Sequence, residues 1–337
     1  MKPKVFITRR IPESGINMIR EHCDVTVRAA EEPAQGVELM LQVLDKDGII
    51  CLPGDKIDKA VMETASHLKV ISTFSVGFEH IDVKEATKRG IYIGYTPGIL
   101  TDTTADLAFT LLLGMARQIP RCDQFVREGG WKVMSSPLHL FGTSVWGTTL
   151  GVIGLGRIGK AMAERAHGFN MKILYADSVR LDTDEEKDLG VNYRSFDDLL
   201  RESDFVSVHT PLTPETRHLI NAEKLKLMKP SAIIINTARG SVIDEEALIV
   251  ALKENWIAGA GLDVYEKEPL DPKNPLLALD NVVIIPHMGS ATTQTRSAMS
   301  ELAARNLLAV LRGTPPPSWL NPEVEKIRPL SEVKMLF

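Results

Sequence analysis

Residues Gly151 to Gly159 read GVIGLGRIG, an apolar strand end running into glycines at Gly154, Gly156 and Gly159 with the spacing G-x-G-x-x-G. The first glycine makes a tight turn, the second lets a pyrophosphate approach the backbone, and the third lets the next helix pack closely on the strand. A helix from Arg157 to Gly168 then presents unpaired N–H groups and a partial positive charge to phosphates. Such turns also occur merely to join a strand to a helix, so the context decides. Eighteen residues past Gly159, Asp177 ends the apolar run Leu174-Tyr175-Ala176, where a carboxylate accepts hydrogen bonds from both ribose hydroxyls of adenosine. That favours NAD(H), while Arg180 nearby leaves tolerance for NADP(H).

The turn begins only after 150 residues, and its surroundings are regular. Ahead of it, Val5 to Thr8, Gly48 to Leu52, Lys69 to Phe74 and Ile91 to Tyr95 read as buried parallel strands. Helices such as Pro12 to Glu21 and Asp58 to Thr64 separate them. From Thr149 to about Pro286, strands are expected at Leu150 to Ile153, Lys172 to Ala176, Phe205 to His209, Ala232 to Asn236, Gly259 to Val264 and Val282 to Ile285. Alternation of this kind specifies α/β architecture with doubly wound parallel sheets. A long helix is expected from Thr101 towards Glu128 and another from Ala291 to Arg312, the latter closed by Gly313 and Pro315 to Pro317.

Composition narrows the class. With 337 residues, 44% hydrophobic and 25% charged, and a net charge of -5, the chain reads as a soluble two-domain protein. Scattered Lys and Arg point away from nucleic acid; Lys2, Lys4, Arg9 and Arg10 read as a solvated strand edge. Neither a secretory segment nor a membrane span is expected, since no window nears the roughly 18 apolar residues a span requires. Cys23, Cys51 and Cys122 are far apart, which fits neither a disulfide framework nor zinc and suits the cytoplasm. No metal site is expected, because the histidines lack ligand spacing.

Three polar residues lie past strand ends, where ligands of open α/β sheets bind: Arg239, Glu268 and His287. Each alone has a structural explanation as a cap, a turn or a packed ring; together, behind a dinucleotide turn, they suit reduction of a 2-oxo acid. An arginine fork holds a carboxylate and polarises the adjacent carbonyl. A protonated histidine donates to the carbonyl oxygen, and a paired carboxylate keeps it charged.

Those residues lie within longer motifs: Lys69 to Gly77 (KVISTFSVG), Gly94 to Pro97 (GYTP), Leu100 to Asp106 (LTDTTAD), GVIGLGRIG, Ala258 to Val264 (AGAGLDV) and Pro286 to Ser290 (PHMGS). Over nearly its full length the chain resembles the D-isomer-specific 2-hydroxyacid dehydrogenases, glyoxylate/hydroxypyruvate reductases most of all. The resemblance implies a Rossmann cofactor domain, residues 101–289, inserted into a flavodoxin-like substrate domain formed by residues 1–100 and 290–337. It implies Arg239 as carboxylate binder, Glu268 as the partner of His287, and His287 as acid and base. It also implies a substrate pocket with Leu52, the amides of Val76 and Gly77, and Ser290. Cofactor neighbours implied are Thr104, Arg157, Ile158, Asp177, Thr210, Pro211, Thr237, Asp263, His287 and Gly289, beside the three glycines.

Two departures qualify it. Asp177 falls where NADPH-using members carry Ser-Arg or Gly-Arg, which moves the expectation to NADH. His139 stands where some members place a Trp that reaches the partner's active site. The apolar arm 129–147 and the cofactor domain are expected to form a homodimer, and two chain crossings between the domains are expected to act as a hinge. A D-lactate dehydrogenase or other D-2-hydroxyacid dehydrogenase is the alternative, and an NAD(H)-sensing corepressor-like binding protein the remote one. Formate-oxidising relatives carry Gln in place of Glu268, phosphite-oxidising ones carry Lys in place of Val76, and phosphoglycerate dehydrogenases often add a C-terminal domain where about 20 residues follow Pro317 here.

Overall fold

A computed structural model describes residues 2–134 and 140–336, so His139 lies outside the described residues. The chain divides into two compact units, residues 1–100 with 291–337, and residues 101–290. The second unit ends at Ser290, one residue beyond the expected boundary at 289.

The first unit holds five parallel strands: β1 (Lys4–Ile7), β2 (Asp24–Val27), β3 (Gly48–Cys51), β4 (Val70–Thr73) and β5 (Tyr92–Gly94). Their order is β2-β1-β3-β4-β5, the flavodoxin-like winding. The central strands β3 and β4 are buried along their whole length because helices cover both faces of the sheet, which is why they read as continuous apolar runs. One face packs on the helices Glu13–Arg20 and Thr293–Leu311 through Ile16, Ile19, Ala303 and Leu307. Edge strand β2 escapes a reading by hydrophobicity: DVTV has no fully buried residue.

The second unit holds seven parallel strands: β6 (Thr149–Ile153), β7 (Lys172–Ala176), β8 (Val191–Tyr193), β9 (Phe205–Val208), β10 (Ile233–Asn236), β11 (Gly259–Leu262) and β12 (Val282–Ile284). The order β12-β11-β10-β9-β6-β7-β8 is the Rossmann winding extended by one strand. Winding reverses beside β6, between β9 and β7, and the glycine turn leaves the sheet at that reversal. The short edge strand β8 was also not foreseen.

The long helix expected from Thr101 towards Glu128 is two helices, Thr101–Ala116 and Ile119–Arg127. Pro120 explains the break. Its ring collides with the carbonyl four residues back, that of Ala116, and it has no N–H to give. Gln118 turns into the left-handed region at φ 50°, and the freed Ala116 carbonyl accepts the N–H of Thr143 at 2.7 Å.

Candidate active site

In the second unit, the expected residues gather on the edge of the sheet where its strands end. Gly154, Gly156, Arg157, Ile158 and Gly159 follow β6, Asp177 follows β7, Thr210 and Pro211 follow β9, and Thr237 and Arg239 follow β10. Asp263 and Glu268 follow β11, and His287, Gly289 and Ser290 follow β12. Thr104 comes from elsewhere, the helix Thr101–Ala116, yet its buried hydroxyl donates to the Gly289 carbonyl at 3.1 Å.

The glycine turn fits a dinucleotide on three counts. Gly154 sits at φ 87°, a conformation that L side chains avoid. A Cβ on Gly159 would lie 2.2 Å from the Gly154 oxygen, whereas one on Gly156 would meet open space, leaving room for a phosphate beside the backbone. The helix Arg157–His167 begins at Gly156 with no side-chain cap, so its first N–H groups stay available to an anion. Among the described residues, the buried Thr237 hydroxyl has no hydrogen-bond partner, which leaves it for a ligand.

Asp177, expected at the ribose, holds the glycine turn in this structure. Its Oδ2 accepts the Leu155 N–H at 2.7 Å, tying the glycine turn to β7, while Oδ1 accepts from the Ser178 hydroxyl at 3.1 Å. Arg180 is already engaged: its Nε and Nη2 donate to Glu186 at 2.8 and 3.0 Å.

At the other end of the edge, His287 Nδ1 lies 2.7 Å from Glu268 Oε2. A carboxylate acceptor requires the proton on Nδ1, which leaves Nε2 as the nitrogen that can exchange a proton with a ligand. The hydrogen bond to Glu268 raises the His287 pKa; burial and Arg239 oppose it, and the charges of Glu268 and Asp263 add to it. Burial alone would raise the Glu268 pKa, but the His287 hydrogen bond and charge, the Tyr265 N–H and Arg239 bring it below the usual carboxylate value. Tyr265 N–H reaches the second oxygen, Oε1, at 3.0 Å.

The histidine is aimed by a turn that sequence reasoning did not resolve. His287 has φ 52°, rare for a residue with a side chain. Its N–H donates to the Asp263 carbonyl at 3.0 Å, and the Asp263 carboxylate accepts from Met288 and Gly289 N–H at 2.5 and 2.9 Å. Asp263, expected beside the cofactor, is fully buried with both oxygens committed to this turn. Burial pushes its pKa up to about 6 against the pull of the Met288 N–H. The turn that carries Arg239 is braced by Asn236, whose amide donates to the Arg239 carbonyl at 2.9 Å and accepts from Ala238 N–H at 3.0 Å. A buried Asn ending the apolar run Ile233 to Ile235 was the available signal.

In the first unit, Leu52 follows β3, and Val76 and Gly77 follow β4. Ser75 donates its hydroxyl to the Gly77 carbonyl at 2.6 Å, and Thr73 Oγ1 lies 2.7 Å from that hydroxyl and 3.1 Å from His80 Nε2. With that carbonyl bonded to Ser75, the amides of Val76 and Gly77 donate to no group among the described residues. Sequence reasoning missed Thr73, Ser75 and His80, polar residues clustered at the end of an apolar strand.

Two other features bear on the chemistry. Burial lowers the pKa of His209 to about 4, so it is neutral at physiological pH. Among the described residues no group of three His, Cys, Asp or Glu could hold a metal ion.

A Rossmann unit with a nucleotide turn and a His–Glu pair on its edge is the frame of a nicotinamide-dependent dehydrogenase. The family described as "D-isomer specific 2-hydroxyacid dehydrogenase, NAD binding domain" matches residues 109–289, and the chain belongs to the D-isomer specific 2-hydroxyacid dehydrogenases. It is 53% identical over 329 residues to the glyoxylate reductase of Korarchaeum cryptofilum, covering 98% of this chain and 99% of that one. The glyoxylate reductase of Thermofilum pendens is 52% identical over 336 residues, 99% of each chain. Among solved structures, the NADPH-dependent glyoxylate/hydroxypyruvate reductase of Sinorhizobium meliloti in complex with NADP and malonate has a TM-score of 0.84 at 32% identity. That match covers 100% of this chain and 99% of the other.

The His287–Glu268 pair makes a direct prediction. Followed by NMR, the His287 ring should titrate above the ordinary value near 6.5. Glu268→Gln should move that midpoint down; an unmoved midpoint would mean that the carboxylate does not set the histidine's charge.

Proposed function

We propose that the protein reduces glyoxylate, and also hydroxypyruvate, to the 2-hydroxy acid, with NADH preferred and NADPH possible. The observation that carries the reading is the His287–Glu268 pair at 2.7 Å on the strand-end edge of the Rossmann unit. Full-length relatives named glyoxylate reductase support the substrate. Asp177, on the same edge, supports the cofactor preference, because a carboxylate favours the free ribose hydroxyls and repels a 2′-phosphate.

Thr237, Thr210, Pro211 and Gly289 would line the dinucleotide, with the glycine turn, Arg157 and Ile158 against its phosphates. When bound, the nicotinamide supplies hydride to the substrate carbonyl carbon. The Arg239 fork binds the substrate carboxylate and draws electron density from the neighbouring carbonyl. Protonated His287 gives its Nε2 proton to the carbonyl oxygen, and Glu268 stabilises the imidazolium before transfer. In the reverse direction neutral His287 takes the hydroxyl proton. The reduction consumes one proton for each carbonyl converted. In the first unit, the amides of Val76 and Gly77 are assigned to a substrate carboxyl group, and Leu52 is assigned a substrate-binding role; in the second unit, Ser290 is assigned a substrate-binding role.

A homodimer belongs to the same reading. The helix Ile119–Arg127 has no buried residue, and Ile119, Val126, Trp131, Val133, Met134, Phe141 and Trp146 are each more than half exposed along one stretch of chain. So much apolar surface in sequence continuity favours cover by a second copy. No helix among the described residues is long and apolar enough to cross a membrane, and the three cysteines are unpaired, in keeping with a cytoplasmic site of action.

Steady-state kinetics with glyoxylate, hydroxypyruvate and pyruvate, each with NADH and NADPH, provides the main test. Glyoxylate with NADH should have the highest kcat/KM; dominant pyruvate turnover would favour a D-lactate dehydrogenase, and tight NADH binding with no turnover a sensor protein. His287→Ala should lower kcat by about 10²-fold or more while NADH binding persists. Near-normal turnover would remove His287 from the mechanism. In sedimentation, the wild-type protein should have twice the 37.2 kDa chain mass, and Trp131→Asp should shift it towards the monomer; a monomeric wild type refutes the dimer.

A further inference from the structure

The segment that follows β7 carries a charge arrangement that the proposed reaction leaves unused. Between Asp177 and Leu181 the one basic residue is Arg180, three positions past the carboxylate assigned to the ribose. A dinucleotide bearing a 2′-phosphate is accommodated by an arginine placed there. Arg180 is 60% exposed, so packing does not hold it; two groups do. Its Nε and Nη2 donate to the two oxygens of Glu186 at 2.8 and 3.0 Å, and its guanidinium lies 5.1 Å from the centre of the Tyr193 ring.

Glu186 is fixed in turn. Its side chain is only 12% exposed, and Oε1 also accepts the Tyr175 hydroxyl at 2.7 Å. That hydroxyl accepts the Leu181 N–H at 2.9 Å, and the Tyr175 ring meets the Tyr193 ring edge-on at 5.5 Å. The hydrogen bonds from Arg180 first, then Tyr175, hold the Glu186 carboxyl down at about 2, so it stays anionic at neutral pH. A lone exposed ion pair contributes little. Here the fork is bidentate, the carboxylate is prefixed and an aromatic face covers the cation, which together give a defined resting place.

We infer that Glu186 is a cofactor-specificity residue: by binding Arg180 against Tyr193, it withholds the guanidinium from a 2′-phosphate and reserves the adenosine end for NAD(H). This rests on the reading that places Asp177 at the ribose. Two restraints then act against NADP(H), the charge of Asp177 and the capture of Arg180. Removing the first alone leaves the second in place.

The test uses Glu186→Gln, which keeps an acceptor for the Tyr175 hydroxyl and removes the charge that holds Arg180. Dissociation constants of NADP+ and NAD+ would be measured calorimetrically for the wild type, Glu186→Gln, Asp177→Ser and the double variant. Glu186→Gln should tighten NADP+ by at least about threefold and leave NAD+ within about twofold. The double variant should gain more than the product of its parents. Adding Arg180→Ala to Glu186→Gln should abolish the gain, which a general loosening of the loop would not predict. If Asp177→Ser shifts the NADP+ to NAD+ ratio and Glu186→Gln shifts it in neither background, the inference falls while the ribose reading survives. If neither substitution moves the ratio, both are overturned.

Discussion

The carboxylate of Asp263 is fully buried, and the turn that presents His287 hangs from it. Holding a non-glycine residue in the left-handed region costs roughly 1–2 kcal/mol, and a buried carboxylate without partners would cost far more. Each hydrogen bond to a charged group returns about 1.5–3 kcal/mol, and Asp263 accepts two, from Met288 and Gly289. The histidine is therefore aimed by the backbone of Asp263, just past β11, as well as by its own carboxylate partner, and Thr104 secures the same turn through the Gly289 carbonyl.

Strand register explains why residues distant in sequence work together. Asn236 pairs with Leu262, and Leu262 with Ile284, so β10, β11 and β12 end side by side. The segments leaving them carry Arg239, Asp263 with Glu268, and His287, all on one edge. On the far side of the winding reversal, β6 and β7 deliver the glycine turn and Asp177 to the same edge. One open parallel sheet thus holds both a glycine turn and a His–Glu pair, and neither needs residues from its own strand interiors.

Much of this was legible in the chain, for identifiable reasons. Parallel strands such as IIIN and GIIC are buried along their whole length because both faces are covered, and apart from Asn236 their residues are apolar or small, so they stand out. The edge strands β2 and β8 do not, since one flank faces solvent and their residues are mixed. The break after Ala116 was available in Pro120, but the apolar pattern on either side ran through it. Asp177 and Arg180 were both readable as cofactor-facing residues; that Arg180 spends its charge on Glu186 was not, because that pairing depends on how the helix Thr183–Leu189 returns over Tyr175.

The sequence by itself determined the alternation of strands and helices, the glycine spacing and the residue types available for chemistry, since each is a property of neighbouring residues and local backbone geometry. Tertiary structure alone decided that Glu268 reaches His287 across 19 positions and Asp263 reaches Met288 across 25. It also decided that Ser75 bonds the Gly77 carbonyl and that Glu186 captures Arg180. The reason is physical: such contacts depend on strand register and on the burial that makes an unpaired polar group too costly to leave, and neither is encoded in any short window of chain.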